Sequence, residues 1–394
     1  MRFSAVFATL AVLLTVPLAL AAPPSLKSVE RTSGAKSGKY IVKLKAGVSR
    51  KQWIKKLKLN SAVDWSLVNG FASNLDENAL NTLRASDDVE VIAEDGIMYT
   101  TAAITQTDAP WGLQRISQPS KLSSSATSDL TYTYTYDESA GTGVDIYIVD
   151  TGVFVNHTQF GGRARWGGAF GVDGTTDGHG HGTHCAGTAA GIQFGVAKNA
   201  SIIGVKVLSD GGSGSVSGII SGLNWVLDQV NASGRPSIVS MSLGGSGNTV
   251  LDNGVLSLTQ AGIHVAVAAG NDNTNAQNTS PARAPSAVTV GASTITDARA
   301  SFSNYGAIVD VFAPGQNVIS AWIGSTTATN NISGTSMATP HIAGLIAYLI
   351  GKDGNGTPAE IEAKIKALGV SGALTGIPAT TANTLAQIGP VSSE

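Results

Sequence analysis

Cysteine is nearly absent from this chain, which has 394 residues and a single thiol, Cys185. One thiol forms no intramolecular disulfide, so stability must come from a core, or from a core and a bound metal. Charge is also scarce: only 13% of residues are Asp, Glu, Lys or Arg, and the formal net charge is −2. That balance gives no reason to expect nucleic-acid binding. Beyond the amino terminus no apolar run is long enough to span a membrane. What is abundant is glycine, at 47 residues, within 42% hydrophobic content. This is the composition of a compact, loop-rich globular protein, and its length suggests two or three domains.

The amino terminus reads as a secretory signal over residues 1–21. Arg2 supplies the positive region, Ala5 to Leu18 is apolar, and Ala19-Leu20-Ala21 has the small-x-small cleavage pattern. The expected product is soluble and extracellular, with no membrane partner. Sequons begin at Asn156, Asn199, Asn231, Asn278, Asn331 and Asn355, and a glycan at Asn331 would crowd Ser336.

Residues 22–103 read as a separate small domain. Lys39–Leu44 alternates as a strand, and Ser49-Arg50-Lys51-Gln52 is a capping box opening a helix with Trp53, Ile54 and Leu57. A strand or hairpin over Ser66–Leu75, a helix over Asp76–Ala85 and a strand over Val89–Met98 follow. The order β-α-β-β-α-β is the split ferredoxin-like arrangement. Residues 25–101 carry 12 Lys/Arg and 9 Asp/Glu, whereas residues 102–394 carry 12 and 18. Opposite net signs favour docking of the small domain on the large one. Residues 99–105 are small and polar, a linker open to proteolysis.

Residues 104–394 alternate strand and helix. Val144–Asp150, Ala200–Leu208, Ile238–Leu243 and Ile263–Ala269 read as strands, with helices over Gly218–Asn231 and Val250–Ala261. The pattern predicts α/β, a doubly wound, mostly parallel sheet with helices on both faces. Ligands of such sheets bind beyond the carboxyl ends of the strands, where Asp150 and Asn271 fall. Thr357-Pro358-Ala359-Glu360 is another capping box, opening a surface helix.

Three stretches carry nucleophile chemistry. Val144–Asp150 delivers an acid from a buried strand. Asp177-Gly-His-Gly-His181-Gly-Thr-His-Cys-Ala-Gly-Thr188 delivers a base from a glycine-rich helix entry. Asn331-Ile-Ser-Gly-Thr-Ser336-Met-Ala-Thr-Pro340-His341 places a serine near the head of an apolar helix, with Pro340 fitting its first turn. A serine there sits among unpaired N–H groups and the positive end of the helix dipole. A serine hydroxyl needs a base to become nucleophilic, and a histidine serves at neutral pH. The chain order Asp, His, Ser is one of the known orders of a catalytic triad. It is not that of the α/β-hydrolase esterases, whose G-x-S-x-G elbow is also missing around Ser336.

These motifs, with Ser240-Met-Ser-Leu-Gly-Gly245, Ala268-Ala-Gly-Asn271 and Ala109-Pro-Trp-Gly-Leu113, resemble the subtilisin-like serine proteases, most closely the secreted fungal proteinase K branch. The resemblance implies a secreted serine endopeptidase made as an autoprocessed zymogen. Residues 22–103 would be its propeptide, a folding chaperone and intramolecular inhibitor, and residues 104–394 the peptidase domain, a monomer. Asp150, His181 and Ser336 would be the triad, and the amide of Asn271 with the N–H of Ser336 the oxyanion hole. The first histidine of His181-Gly-Thr-His184 would be the base, leaving His179, His184 and His341 structural. Cys185, one helical turn after His181, would be buried beneath the imidazole. Gly212-Ser213-Gly214 and Ser242-Leu243-Gly244 would be the two edges that clasp an extended protein or peptide substrate by main-chain hydrogen bonds. Ala268, Ala269 and Gly270 would line the pocket for the residue before the scissile bond. These small walls, with no acid evident, favour large apolar or aromatic groups. No organic cofactor is implied. A structural calcium would sit on Asp310 and the carbonyls of Pro285 and Ala287, since oxygen ligands suit that ion. The branch's second metal site and its paired cysteines are not matched here.

Overall fold

The computed structural model describes residues 26–32, 36–97 and 103–391, so the signal segment and part of the linker lie outside the described residues. The chain divides into a small unit built on residues 37–95 and a large unit running from residue 96 to the end.

The small unit comprises β1 (Lys36–Leu44), α1 (Arg50–Lys56), β2 (Val63–Trp65), β3 (Gly70–Ser73), α2 (Glu77–Arg84) and β4 (Val89–Gly96), in the order expected. Its sheet runs β2-β3-β1-β4, with β1 and β3 antiparallel in the register Tyr40↔Ser73. Caps fix its helices: Ser49 accepts from the Gln52 N–H, and Asp76 from that of Ala79. Val42, Leu44, Trp53, Phe71, Leu83, Val89 and Ile92 fill its core.

The large unit opens with β5 (Ala103–Ala109), α3 (Trp111–Ser117) and β6 (Tyr132–Asp137). The alternating body follows: β7 (Asp145–Asp150), β8 (Ala164–Ala169), α4 (His181–Ala190), β9 (Ser201–Lys206), α5 (Val216–Ser233), β10 (Ser237–Met241), β11 (Gly245–Ser246), α6 (Thr249–Gln260), β12 (His264–Ala268) and β13 (Thr279–Ser280). Then come β14 (Val288–Ser293), β15 (Val311–Pro314), β16 (Val318–Ala321), β17 (Thr329–Ile332), α7 (Thr335–Asp353), α8 (Pro358–Leu368), β18 (Val370–Ser371) and β19 (Thr384–Leu385).

Nine strands form one sheet, ordered β18-β19-β15-β14-β12-β10-β7-β9-β8, parallel except for the β18/β19 pair. Alternation along the strands sorts side chains to two faces. Ile146 and Ile148 of β7 point to the side of α4 and α7, joining Ile202, Ile238, Ala266 and Val290 in one core. Tyr147 and Val149 join Ile203, Val205, Val239, Val265 and Val267 beneath α5 and α6 in the other. Helices therefore cover both faces. From β7 the chain goes to β8 at the sheet edge, returns to β9 beside β7, and then crosses to β10, β12, β14 and β15 on the other side. The carboxyl ends of β7 and β10 thus flank the switch point of the sheet, the usual place for a site in such folds.

One sequence expectation is corrected. Pro340 is not in the first turn of its helix: α7 begins at Thr335, and Pro340 is an interior residue. Proline has no N–H, so the carbonyl four residues before it, that of Ser336, loses its helical donor. The Ser242 hydroxyl (2.9 Å) and the Cys185 thiol (3.4 Å) donate to that carbonyl instead. The helix survives because buried Ile342, Ala343, Leu345, Ile346 and Leu349 pack it all round.

Candidate active site

Asp150 is the last residue of β7 and is fully buried. Its Oδ1 accepts from the N–H of Thr151 at 2.7 Å and is 2.7 Å from His181 Nδ1. His181 is the first residue of α4, which starts beside the strand end because glycines permit the approach. A Cβ on Gly182 would lie 2.0 Å from the Gly152 carbonyl oxygen.

Burial by itself would lower the pKa of His181. The Asp150 carboxylate, through its charge and hydrogen bond, and then Asp177 reverse this and leave it above the ordinary histidine value. Asp177, quoted above only as the start of a motif, proves central. Its buried carboxylate accepts from Thr151 Oγ1 (2.9 Å), His179 N (3.0 Å), Gly180 N (2.9 Å), Thr183 N (2.9 Å) and Thr183 Oγ1 (2.6 Å). It satisfies the orphan N–H groups where α4 begins and so fixes the height of His181.

Ser336 is the second residue of α7, where its own N–H has no helical partner. Its hydroxyl donates to the Ser242 carbonyl at 3.2 Å, while Ser242 Oγ returns a bond to the Ser336 carbonyl. Asn271 lies in the loop after β12, and its Oδ1 accepts from Thr335 N (2.8 Å) and Thr335 Oγ1 (2.9 Å). Both contacts are donors, so the amide oxygen must face Thr335 and the NH2 must point away. A Cβ on Gly334 would lie 3.5 Å from Ser336 N and 3.7 Å from Asn271 Nδ2. One small space, open because Gly334 has no side chain, is therefore bordered by both N–H donors.

His184 and His341 are engaged elsewhere. His184 Nε2 contacts the Val318 carbonyl at 3.0 Å, and burial holds its pKa down to about 3. His341 Nδ1 contacts the Met337 carbonyl at 2.8 Å, and burial holds its pKa at about 4. His179 stands edge-on to His181, ring centroids 6.2 Å apart. Cys185 is fully buried, and its ligand atom lies within 4.8 Å of those of His181 and Asp150. Burial pushes its thiol well above the ordinary range, so it is an inert packing group.

Two cavities meet at Ser242–Ser246. One, of about 560 Å³, is lined by Ser242, Leu243, Gly244, Ala268, Gly270, Asn271 and Ser336. The other, of about 720 Å³, is lined by His181, Gly212, Ser213, Gly214, Ser242, Leu243 and Gly244. Both candidate substrate edges thus face one cavity. Ala269 is a correction: strand alternation turns it into a separate apolar cluster with Phe312 and Leu374. An acid is also present, because Asp272 lines the first cavity. Gly270 has φ +105°, and a Cβ there would lie 2.3 Å from Asn304 Nδ2. Asn304, which sequence reasoning passed over, holds this loop through Ala269 O (2.9 Å), Asp272 N (3.0 Å) and Thr274 N (2.9 Å).

Of the expected calcium ligands, the Asp310 carboxylate already has partners. Asp310 Oδ2 accepts from Thr289 N at 2.8 Å, and Oδ1 is 2.6 Å from the Lys366 ammonium. A tethered cation already sits on the carboxylate.

Comparison with known proteins identifies the family to which this fold belongs. The profile of the Subtilase family matches residues 141–384. A cuticle-degrading protease of Metarhizium anisopliae is 46% identical, over 99% of this chain and 100% of its own. Alkaline serine protease ver112 of Corniculantispora psalliotae is 45% identical over 98% of this chain and 99% of its own. Among solved structures, a cold adapted subtilisin-like serine proteinase is 42% identical, with a TM-score of 0.65, covering 73% of this chain and 100% of that one. With its parallel sheet, buried Asp150–His181 pair and serine-headed helix, the chain belongs to the subtilase family and is a serine protease.

Proposed function

We propose that the chain is a secreted endopeptidase made as a zymogen, in which Asp150, His181 and Ser336 form the triad. The observation that carries this reading is the 2.7 Å contact of His181 Nδ1 with the buried Asp150 carboxylate, with Ser336 N and Asn271 Nδ2 bordering one space. The Ser336 hydroxyl turns from the Ser242 carbonyl toward His181 Nε2 when substrate enters; such bonds are commonly loose in free enzymes. His181 takes the proton as Ser336 Oγ attacks the carbonyl carbon. The oxyanion is received by Ser336 N–H and the Asn271 amide, which Thr335 has already oriented. Asp150 stabilises the imidazolium, which then protonates the leaving amine. Water, deprotonated by the same imidazole, releases the acyl group.

Substrate lies extended between Gly212–Gly214 and Ser242–Gly244, which gives broad specificity. The cavity walled by Ala268 and Gly270 takes a large apolar or aromatic side chain before the scissile bond, with Asp272 at its margin. The small unit acts as an internal inhibitor, and cleavage near residue 103 releases the peptidase. No metal takes part in any step. Purified precursor should generate a new amino terminus near residue 104 on incubation, and Ser336→Ala should remain whole and fail to cleave casein. An uncut variant that still hydrolyses casein would overturn the assignment of the nucleophile.

A further inference from the structure

We propose that the Asp310 site is metal-independent because Lys366 is its cation. The Asp310 side chain is only 15% exposed, so its charge needs a partner. One oxygen is committed to the backbone of β14 through Thr289, whose carbonyl in turn accepts from Asp310 N at 3.0 Å. The other meets Lys366 Nζ at 2.6 Å, and the same ammonium is 2.6 Å from Glu362 Oε1. Two carboxylates thus share one ammonium.

The lysine is not delivered by a loose surface tail. It lies in the last turn of α8, whose start is fixed by the reciprocal Thr357–Glu360 capping box. Ile361 and Ile365 anchor the helix in the main core. Glu362 precedes Lys366 by one turn on the same face, so it steers the ammonium toward Asp310. A cation tethered on a docked helix acts at high effective concentration, which a free divalent ion must exceed. Calcium also needs six to eight oxygens, typically. An ammonium is satisfied by the two carboxylates present. The link between the β14–β15 edge and α8 is therefore held by a covalently attached cation.

The test counts bound calcium by equilibrium dialysis at millimolar concentration in the full chain, carrying Ser336→Ala to prevent self-cleavage. The unaltered site and Asp310→Asn should bind the same number of ions. Lys366→Met should bind one more, and that gain should vanish in the Lys366→Met/Asp310→Asn double variant. Chelation should lower the melting temperature of Lys366→Met, with calcium restoring it. Loss of one bound ion in Asp310→Asn would overturn the proposal, as would a Lys366→Met chain with neither a gained ion nor a new response to chelation. If either variant fails to fold, the comparison of the other with the unaltered site decides.

Discussion

In the proposed mechanism, Ser336 is competent only because its neighbours are oriented around it. Thr335 is the clearest case: its Oγ1 accepts from Gly270 N (3.2 Å) and donates to Asn271 Oδ1 (2.9 Å). Thr335→Val keeps the shape and removes both bonds. It should lower kcat about tenfold with little change in KM, the scale of one hydrogen bond. Asn271→Ala should cost about 10² to 10³ in kcat, a magnitude that comes from subtilisin, a relative of this chain. A Thr335→Val enzyme at full kcat would show that Asn271 needs no orienting. The pH dependence belongs to His181. Its pKa is above the ordinary 6.5, and it must be neutral to act as base. The acid limb of kcat/KM should therefore have its midpoint above 6.5, and a midpoint below that value would contradict the buried pair. Stability has the opposite sign for this residue: what the pair contributes is full below the unfolded pKa and is lost as pH rises through the folded one.

At the scale of elements, Pro340 links α7 to the site. By withholding an N–H it leaves the Ser336 carbonyl for Ser242 and Cys185, which come from the end of β10 and from α4. Three elements are thereby pinned at Ser336. Pro340→Ala would restore a helical donor, in competition with Ser242 Oγ and Cys185 Sγ. The expected outcome is a helix at least as stable and a lower kcat/KM, read by thermal melting and peptide hydrolysis. Unchanged kinetics would mean that the three-way contact does not position Ser336. The cap of α8 is a simpler matter. Thr357→Ala removes the reciprocal bonds with Glu360 and should cost about 1 kcal/mol in denaturant unfolding.

Over the whole molecule, acid stability is governed by histidines buried in the neutral state. His184 and His341 have pKa values of about 3 and about 4, against 6.5 when unfolded. Burial also lowers His157 and His264. As pH falls from 6.5 toward 4, the unfolded chain binds protons that the native core refuses, so stability falls. For His184 and His341 the slope should approach about 1.4 kcal/mol per pH unit each, read from urea midpoints in that interval. A flat profile between pH 6.5 and 4.5 would show that both rings protonate without opening the core.

The sequence by itself determined which segments are strands or helices, and it nominated Asp150, His181 and Ser336 for the chemistry. Both are local properties: alternation sends Ile146 and Tyr147 of β7 to opposite faces, and Gly180 before His181 allows a positive-φ turn (φ 103°) that other residues avoid. The small unit's β-α-β-β-α-β order was legible for the same reason, its caps lying within a few residues of each other. What the tertiary structure decided was every relation between distant segments. Asp177 reads as a loop acid until five donors from two elements converge on it. Asn304 has no pattern of its own and Thr335 reads only as part of the serine motif, because Thr335 holds Asn271 and Asn304 holds the loop around it, both from a distance in sequence. Ala269 looks like a pocket wall beside Ala268, and only the sheet's alternation turns it away. The Lys366–Asp310 contact joins residues 56 positions apart, and no spacing rule predicts which cation reaches a carboxylate first. Helix starts fell between these extremes. Pro340 reads locally as a first-turn residue, but buried packing on every side carried α7 back through it to Thr335, and that extension placed Ser336 at the helix head.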